Sequence, residues 1–405
     1  MKKQYLATER AHFMCPNMHF GILTEIDKVY HWQEVEATLA RMAAAHPFLK
    51  SLIAYEDGSD RLFYKLTDNS QITLSVKEDI SNLWQDYEQL SARDWNVFEN
   101  GMLKVFLYPR EQGMTVLFAA HHLLTDGRGL AELVREFADD YVGGIPPVYV
   151  QEQLMESIRD LPEKSALSGI SKLLVKRMNR LWEQENHKVT YEQYQSFVEN
   201  DAPKHPVHYE CYPVEEQTLA EMVQICRTHG VTMNDLLMAH MYEKTGTDKI
   251  IIAADIRDRF LRYRKGALGN YSTALGIHYN AGKKDLVTNV KAIHRLVQKK
   301  LKNNRALMLV LACYFEMDPT LLDAAAISAL GGFESKAAAF VGEGMFGMAK
   351  PRSYSITNLG KMENQYIASM MFIPPVSPAA KLTLGVVTMN GTMKVCGSIN
   401  SKPEV

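Results

Sequence analysis

A chain of 405 residues that is 46% hydrophobic and 23% charged has an ordinary globular composition and room for more than one core. A formal net charge of -2 excludes a global field that would gather nucleic acid or an anionic membrane. Five scattered cysteines without a CxxC pair predict reduced thiols rather than a disulfide framework. The start, MKKQYLATERAHF, has no apolar signal core, and the longest apolar run, ALMLVLACYF (306–315), is too short to span a bilayer. The expectation is a soluble cytoplasmic protein without stable membrane insertion.

In chain order, Val35, Leu39, Met42 and Ala43 form a helical stripe within 28–49 that His46-Pro47 ends. LFYKL (62–66) and ITLSV (72–76) predict strands. GMLKVFLYP (101–109) and TVLFAA (115–120) predict a hairpin whose second strand is apolar on both faces and therefore covered on both. Leu130, Leu133, Val134, Phe137 and Tyr141 predict a helix. A connection over 144–165 leads into a basic amphipathic helix with Leu173, Leu174, Met178 and Leu181 on its apolar side. VTMNDLLMAHMYEKTG (231–246) reads as a helix capped by Thr232 and stopped by Gly246. KIIIAAD (249–255) reads as a strand, and Leu286 to Leu301 carry another helical stripe. YSITNL, YIASMMFI and two runs joined by Asn390-Gly391 predict strands, the last two as a hairpin. Strands and helices alternating in two passes give an α/β fold in two subdomains.

The chemistry concentrates in TVLFAAHHLLTDGRG (115–129). Consecutive side chains on a strand point to opposite faces, so His121 and His122 cannot both chelate one ion, and no HExxH is present; no metal is expected. Opposed faces suggest divided labour, with one ring in a cleft and the other inside. An imidazole, with a reference pKa near 6.5, takes and returns protons at neutral pH. Asp126 either caps the following helix or pairs with a cation from elsewhere, and Gly127 and Gly129 supply turn geometry.

HHLLTDG fits HHxxxDG and resembles the superfamily of chloramphenicol acetyltransferase, the condensation domains of nonribosomal peptide synthetases, plant BAHD acyltransferases, and stand-alone alcohol or polyketide-associated acyltransferases. WQEVEATLARMAAAHPFLKS, VTMNDLLMAHMYE, AADIRDRF with LGNYST, and SITNLGK resemble further landmarks of that superfamily, in order, over most of the chain. The resemblance implies two chloramphenicol-acetyltransferase-like subdomains, 1–175 with the signature and 176–405, in a V-shaped pseudo-dimer with a tunnel between them. By motif, His122 would be the catalytic base and His121 the support of its loop. Asp126 would be structural, salt-bridged to Arg257, and Gly127 would let the loop pass close to substrate. Asn270, Ser355, Thr357 and Asn358 would line the tunnel. The DFGWG motif of the plant enzymes is absent.

The implied reaction moves an acyl group from a thioester, acyl-coenzyme A or a phosphopantetheine-linked donor, to an alcohol or amine. No bound cofactor is implied, and an acyl carrier protein is a candidate partner. Without a GxSxG elbow or a cysteine nucleophile motif, transfer would be direct. Two alternatives stay open: a free-standing condensation enzyme forming amides from carrier-bound donors, and a non-catalytic relative that binds carrier proteins. GEGMFG (342–347) matches GxGxxG but leaves no room for the helix a dinucleotide site needs, and reads as a flexible loop. RDRFLRYRKG (257–266) and the basic helix near Lys176 and Arg177 read as solvated faces, with phosphate or carrier docking as the functional alternative.

Overall fold

The computed structural model describes residues 3–90, 95–201, 206–260, 262–282, 284–348 and 353–400. In chain order the strands are β1 (Gln4–Tyr5), β2 (His19–Ile26), β3 (Ser51–Tyr55), β4 (Leu62–Leu66), β5 (Thr73–Val76), β6 (Leu103–Arg110), β7 (Gly113–His121), β8 (Val207–Pro213), β9 (Lys249–Asp255), β10 (Ser272–His278), β11 (Ser353–Met362), β12 (Ser369–Ile373), β13 (Ala380–Met389) and β14 (Thr392–Asn400). They form a five-stranded sheet β12-β2-β7-β6-β5, a six-stranded sheet β10-β9-β11-β13-β14-β8, and a small sheet β1-β4-β3. β12 comes from the second half of the chain yet completes the first sheet, with Phe372 opposite Ile22 of β2. Among the described residues no helix is long and apolar enough to cross a membrane.

β7 shows why the signature sits where it does. Each of its residues is buried, because the strand is central and covered on both faces. The period-2 alternation divides its side chains between two cores. Met114, Val116, Phe118 and Ala120 join the main core, while Leu117 and Ala119 join a second cluster with Tyr87, Trp95, Phe106 and Tyr108. The hairpin with β6 closes at Arg110 opposite Gly113. The helix Gly127–Tyr141 follows, burying Leu130, Leu133, Val134, Phe137, Ala138 and Tyr141. In the second half, the helix Met233–Thr245 starts on a reciprocal cap between Thr232 and Asp235 and ends at Gly246. β13 and β14 turn through Asn390-Gly391, both with positive φ.

Three expectations are corrected. The five cysteines are not all free: Cys211 on β8 and Cys396 on β14 are register partners and are joined as a disulfide. They lie 185 residues apart in sequence, so only strand register reveals the pair. GEGMFG is not a flexible loop, since Phe340–Met345 continue the helix Lys336–Ala339 as a π-helical turn. Gly342 is needed there because a Cβ would lie 2.1 Å from the carbonyl oxygen of Ala325; Pro351 lies outside the described residues. In the basic helix Gly169–Glu185, the buried stripe is Val175, Met178 and Trp182, and Leu173 is exposed.

Candidate active site

β7 ends at His121, and the strand's alternation carries the two imidazoles to opposite sides. His121 turns toward the second core beside Trp95 and His19. Its Nδ1 accepts the Leu123 N–H at 3.2 Å, so the ring of residue 121 holds the turn that follows. Burial, with the neighbouring rings of His19 and His122, pushes its pKa down to about 3, which keeps it neutral.

His122 faces the other way, and its tautomer follows from its partners. Asn270 Nδ2 donates to the backbone carbonyl of His122 at 2.7 Å, which turns Asn270 Oδ1 toward His122 Nδ1, also at 2.7 Å. A carbonyl oxygen only accepts, so Nδ1 carries the proton and Nε2 presents a lone pair. Burial lowers the His122 pKa. The Asn270 hydrogen bond and the charge of Asp126 oppose that shift without cancelling it.

Asp126 ties this loop to the second sheet. Its Oδ1 accepts the Gly129 N–H at 3.0 Å, capping the helix Gly127–Tyr141, and pairs with Arg257 Nη2 at 2.5 Å. Its Oδ2 accepts the Tyr271 N–H at 2.9 Å. Arg257 also meets Asp255 at 3.2 Å. Burial works against the charge on Arg257, but Asp126 and Asp255 outweigh it and raise the guanidinium pKa. Asp126 thus holds the backbone at Tyr271, whose predecessor Asn270 orients His122.

Two cavities flank this assembly. One of about 240 Å³ is lined by His122, Asn270, Ser355 and Thr357, together with Thr8, His12, Tyr314 and other residues. The other, about 430 Å³, is lined by Asp126, Gly127, Arg257, Thr357 and Asn358 among others. They share Ile252, Ala253, Ser272 and Thr357, so β9, β10 and β11 of the six-stranded sheet form the wall common to both. Asn358 Oδ1 also accepts the Gly360 N–H at 2.8 Å. The close approach at Gly127 is to protein: a Cβ there would meet Leu359 Cδ2 at 2.9 Å and Phe372 Cζ at 3.1 Å. The basic run after β9 does not act as one patch. Arg257 is buried, Arg259 bonds Asn304 and the Leu301 carbonyl, and Arg262 reaches Asp160 and Glu156.

Two histidines were not anticipated as parts of this region. His12 stacks on His122, with ring centroids 4.3 Å apart and planes 10° from parallel. His46 caps a helix as expected, but its ring also bridges Glu136 at 2.7 Å and Glu152 at 3.0 Å. Glu152 in turn accepts the N–H of Leu268, two residues before Asn270. A histidine next to a proline reads as a helix stop, and nothing local announces two carboxylates some 90 and 106 residues away.

A paired imidazole loop at a central strand end, clamped by an aspartate–arginine pair to the six-stranded sheet, is set in a fold similar to those of solved condensation domains and of an O-acetyltransferase. The condensation domain of the monacolin K polyketide synthase is similar, with a TM-score of 0.63, 11% identity, and coverage of 99% of this chain and 92% of that one. The trichothecene 15-O-acetyltransferase of Fusarium sporotrichioides is similar with a TM-score of 0.62, 13% identity, and coverage of 98% and 90%. Polyketide synthase associated protein 5 of Mycobacterium tuberculosis gives 0.58, 13% identity, and 99% and 94%. At these identities the likeness is one of fold. No protein-family model and no curated protein sequence matches the chain.

Proposed function

We propose that this protein transfers an acyl group from a thioester to an alcohol or amine, with His122 as general base. The observation that carries the reading is the double hydrogen bond of Asn270, which presents an unprotonated Nε2 beside a cavity walled by both halves of the chain. A lowered pKa suits the role, because the ring is ready to accept a proton at neutral pH. His122 Nε2 takes the acceptor's proton as its oxygen or nitrogen attacks the thioester carbonyl. The tetrahedral oxyanion collapses, the C–S bond breaks, and His122 protonates the departing thiolate. A positioned base contributes about 10²–10⁴-fold, and alignment of the two substrates supplies much of the rest.

The donor would be acyl-coenzyme A or a pantetheine-linked acyl chain, the latter delivered by an acyl carrier protein. The acetyltransferase among the similar folds supports the O-acyl form, and the condensation domain supports a condensation reaction without fixing the bond formed. Thiol release from a series of acyl-coenzyme A and acyl-pantetheine donors, with alcohol and amine panels, tests the reading. Acceptor-dependent release by the wild type that His122→Ala abolishes while its melting temperature is retained supports it. Release that is independent of acceptor, or equal in His122→Ala, counts against it.

A further inference from the structure

His12 closes the 3-10 turn Glu9–His12 and lies against the face of the His122 ring. Phe20 meets the same imidazole edge-on, with centroids 5.0 Å apart. Both histidines line the cavity of about 240 Å³. Among the described residues no hydrogen bond reaches either ring nitrogen of His12. In the lining of the same cavity, the Thr273 hydroxyl is buried without a partner among the described residues. Thr273 is thus a buried polar group that the protein leaves unsatisfied, and the His12 ring, partly buried and without a protein acceptor, lines the same cavity; together they mark a place for a polar ligand atom.

We infer that His12 is a second catalytic residue, whose ring N–H donates to the carbonyl oxygen of the acyl donor while His122 moves the acceptor's proton. This assignment rests on the acyl-transfer reading above. A neutral imidazole always carries one N–H, and one that finds no acceptor in the protein is free to serve a ligand. The stack keeps the two rings almost parallel, so their edges project side by side and can reach neighbouring atoms of one reacting group. Burial, then the proximity of His122 and His121, holds the His12 pKa well below the usual value, so the ring stays a neutral donor beside the imidazolium that forms at His122. In the step, the acceptor's lone pair forms the new bond to the carbonyl carbon and its proton passes to His122 Nε2. The carbonyl π pair moves to oxygen, which accepts the His12 N–H. That pair then re-forms the carbonyl as the C–S bond breaks, and the thiolate takes its proton from His122. His12 keeps its own proton throughout.

The test compares wild type, His12→Phe and His12→Gln on acetyl- to palmitoyl-pantetheine thioesters. His12→Phe keeps the stacked ring and removes the N–H; the expected result is a fall in kcat of about 10²-fold, with both KM values within threefold and the acid limb of the pH profile unmoved. His12→Gln restores a donor and should recover part of the loss. A kcat for His12→Phe within twofold of wild type overturns the assignment. Should that variant not fold, the infrared carbonyl stretch of a thioester bound to His122→Ala, where His12 is native, decides: a band below its solution position supports the donor role, and an unshifted band overturns it. Absence of transfer by the wild type with every donor and acceptor overturns the acyl-transfer reading together with this one, whereas transfer that ignores His12→Phe overturns this one alone.

Discussion

Replacing Asp126 by alanine tests the clamp between the signature loop and the second sheet. Three hydrogen bonds disappear, from Gly129 N–H, Tyr271 N–H and the Arg257 guanidinium. Loss of the helix cap costs about 1 kcal/mol. A buried arginine deprived of its carboxylate costs about 3–5 kcal/mol. Arg257 keeps Asp255 at 3.2 Å, on a partly exposed carboxylate, so the lower end applies. The combined loss is about 4 kcal/mol. An unfolding entropy of about 2.1 cal/mol/K per residue over 405 residues converts that into a melting temperature lower by about 5 °C. Activity should fall as well, because Tyr271 and hence Asn270 lose their anchor. Differential scanning calorimetry and the thiol-release assay read the two effects. Asp126→Ala/Arg257→Leu, which leaves no lone charge, should regain part of the stability. An Asp126→Ala protein that melts with the wild type refutes the clamp, and a double variant less stable than the single one refutes the charge argument.

Three further outcomes are expected. Because burial lowers the His122 pKa, kcat/KM should decline on acidification only through a limb below pH 6.5, the usual imidazole value; a limb centred above pH 7 would contradict the desolvated site. Asn270→Ala removes the acceptor that keeps the proton on Nδ1, so kcat should drop by about 10²-fold or more while thermal stability stays within about 1–2 kcal/mol of wild type; a fully active variant would show that the tautomer is set some other way. His46, flanked by Glu136 and Glu152, opposes its burial and has its pKa raised to about 9. Its stabilising contribution should be complete below the unfolded value near pH 6.5 and lost as pH rises through about 9. Urea midpoints of wild type and His46→Gln should accordingly converge across that window, and a gap that persists at pH 10 would show that the ring's charge is not what stabilises.

Elements with strong local periodicity were legible without a structure. KIIIAAD forms β9 with the predicted bounds, the stripe from Leu130 to Tyr141 forms a buried helix face, and Thr232 and Gly246 delimit their helix. The π-helical turn at GEGMFG escaped because its glycine serves a contact with the carbonyl of Ala325 rather than turn flexibility. The buried face of Gly169–Glu185 escaped because several apolar stripes compete on that helix and only its packing against later helices chooses among them.

The chemistry of the candidate site divides along the same line. Consecutive residues on a strand must face opposite ways, so the linear order of His121 and His122 already implied one inward and one outward imidazole. The meeting of His12 with His122 depends on the packing of the N-terminal turn, that of Cys211 with Cys396 on sheet register, and that of β12 with β2 on chain crossing from one half to the other. Such contacts are set by how buried surfaces mate over long sequence separations, and local spacing carries no trace of them. The backbone pattern of the loop belonged to the sequence. The environment that sets the proton position, charge state and neighbours of His122 belonged to tertiary packing, because desolvation and hydrogen-bond geometry exist only once the two sheets are brought together.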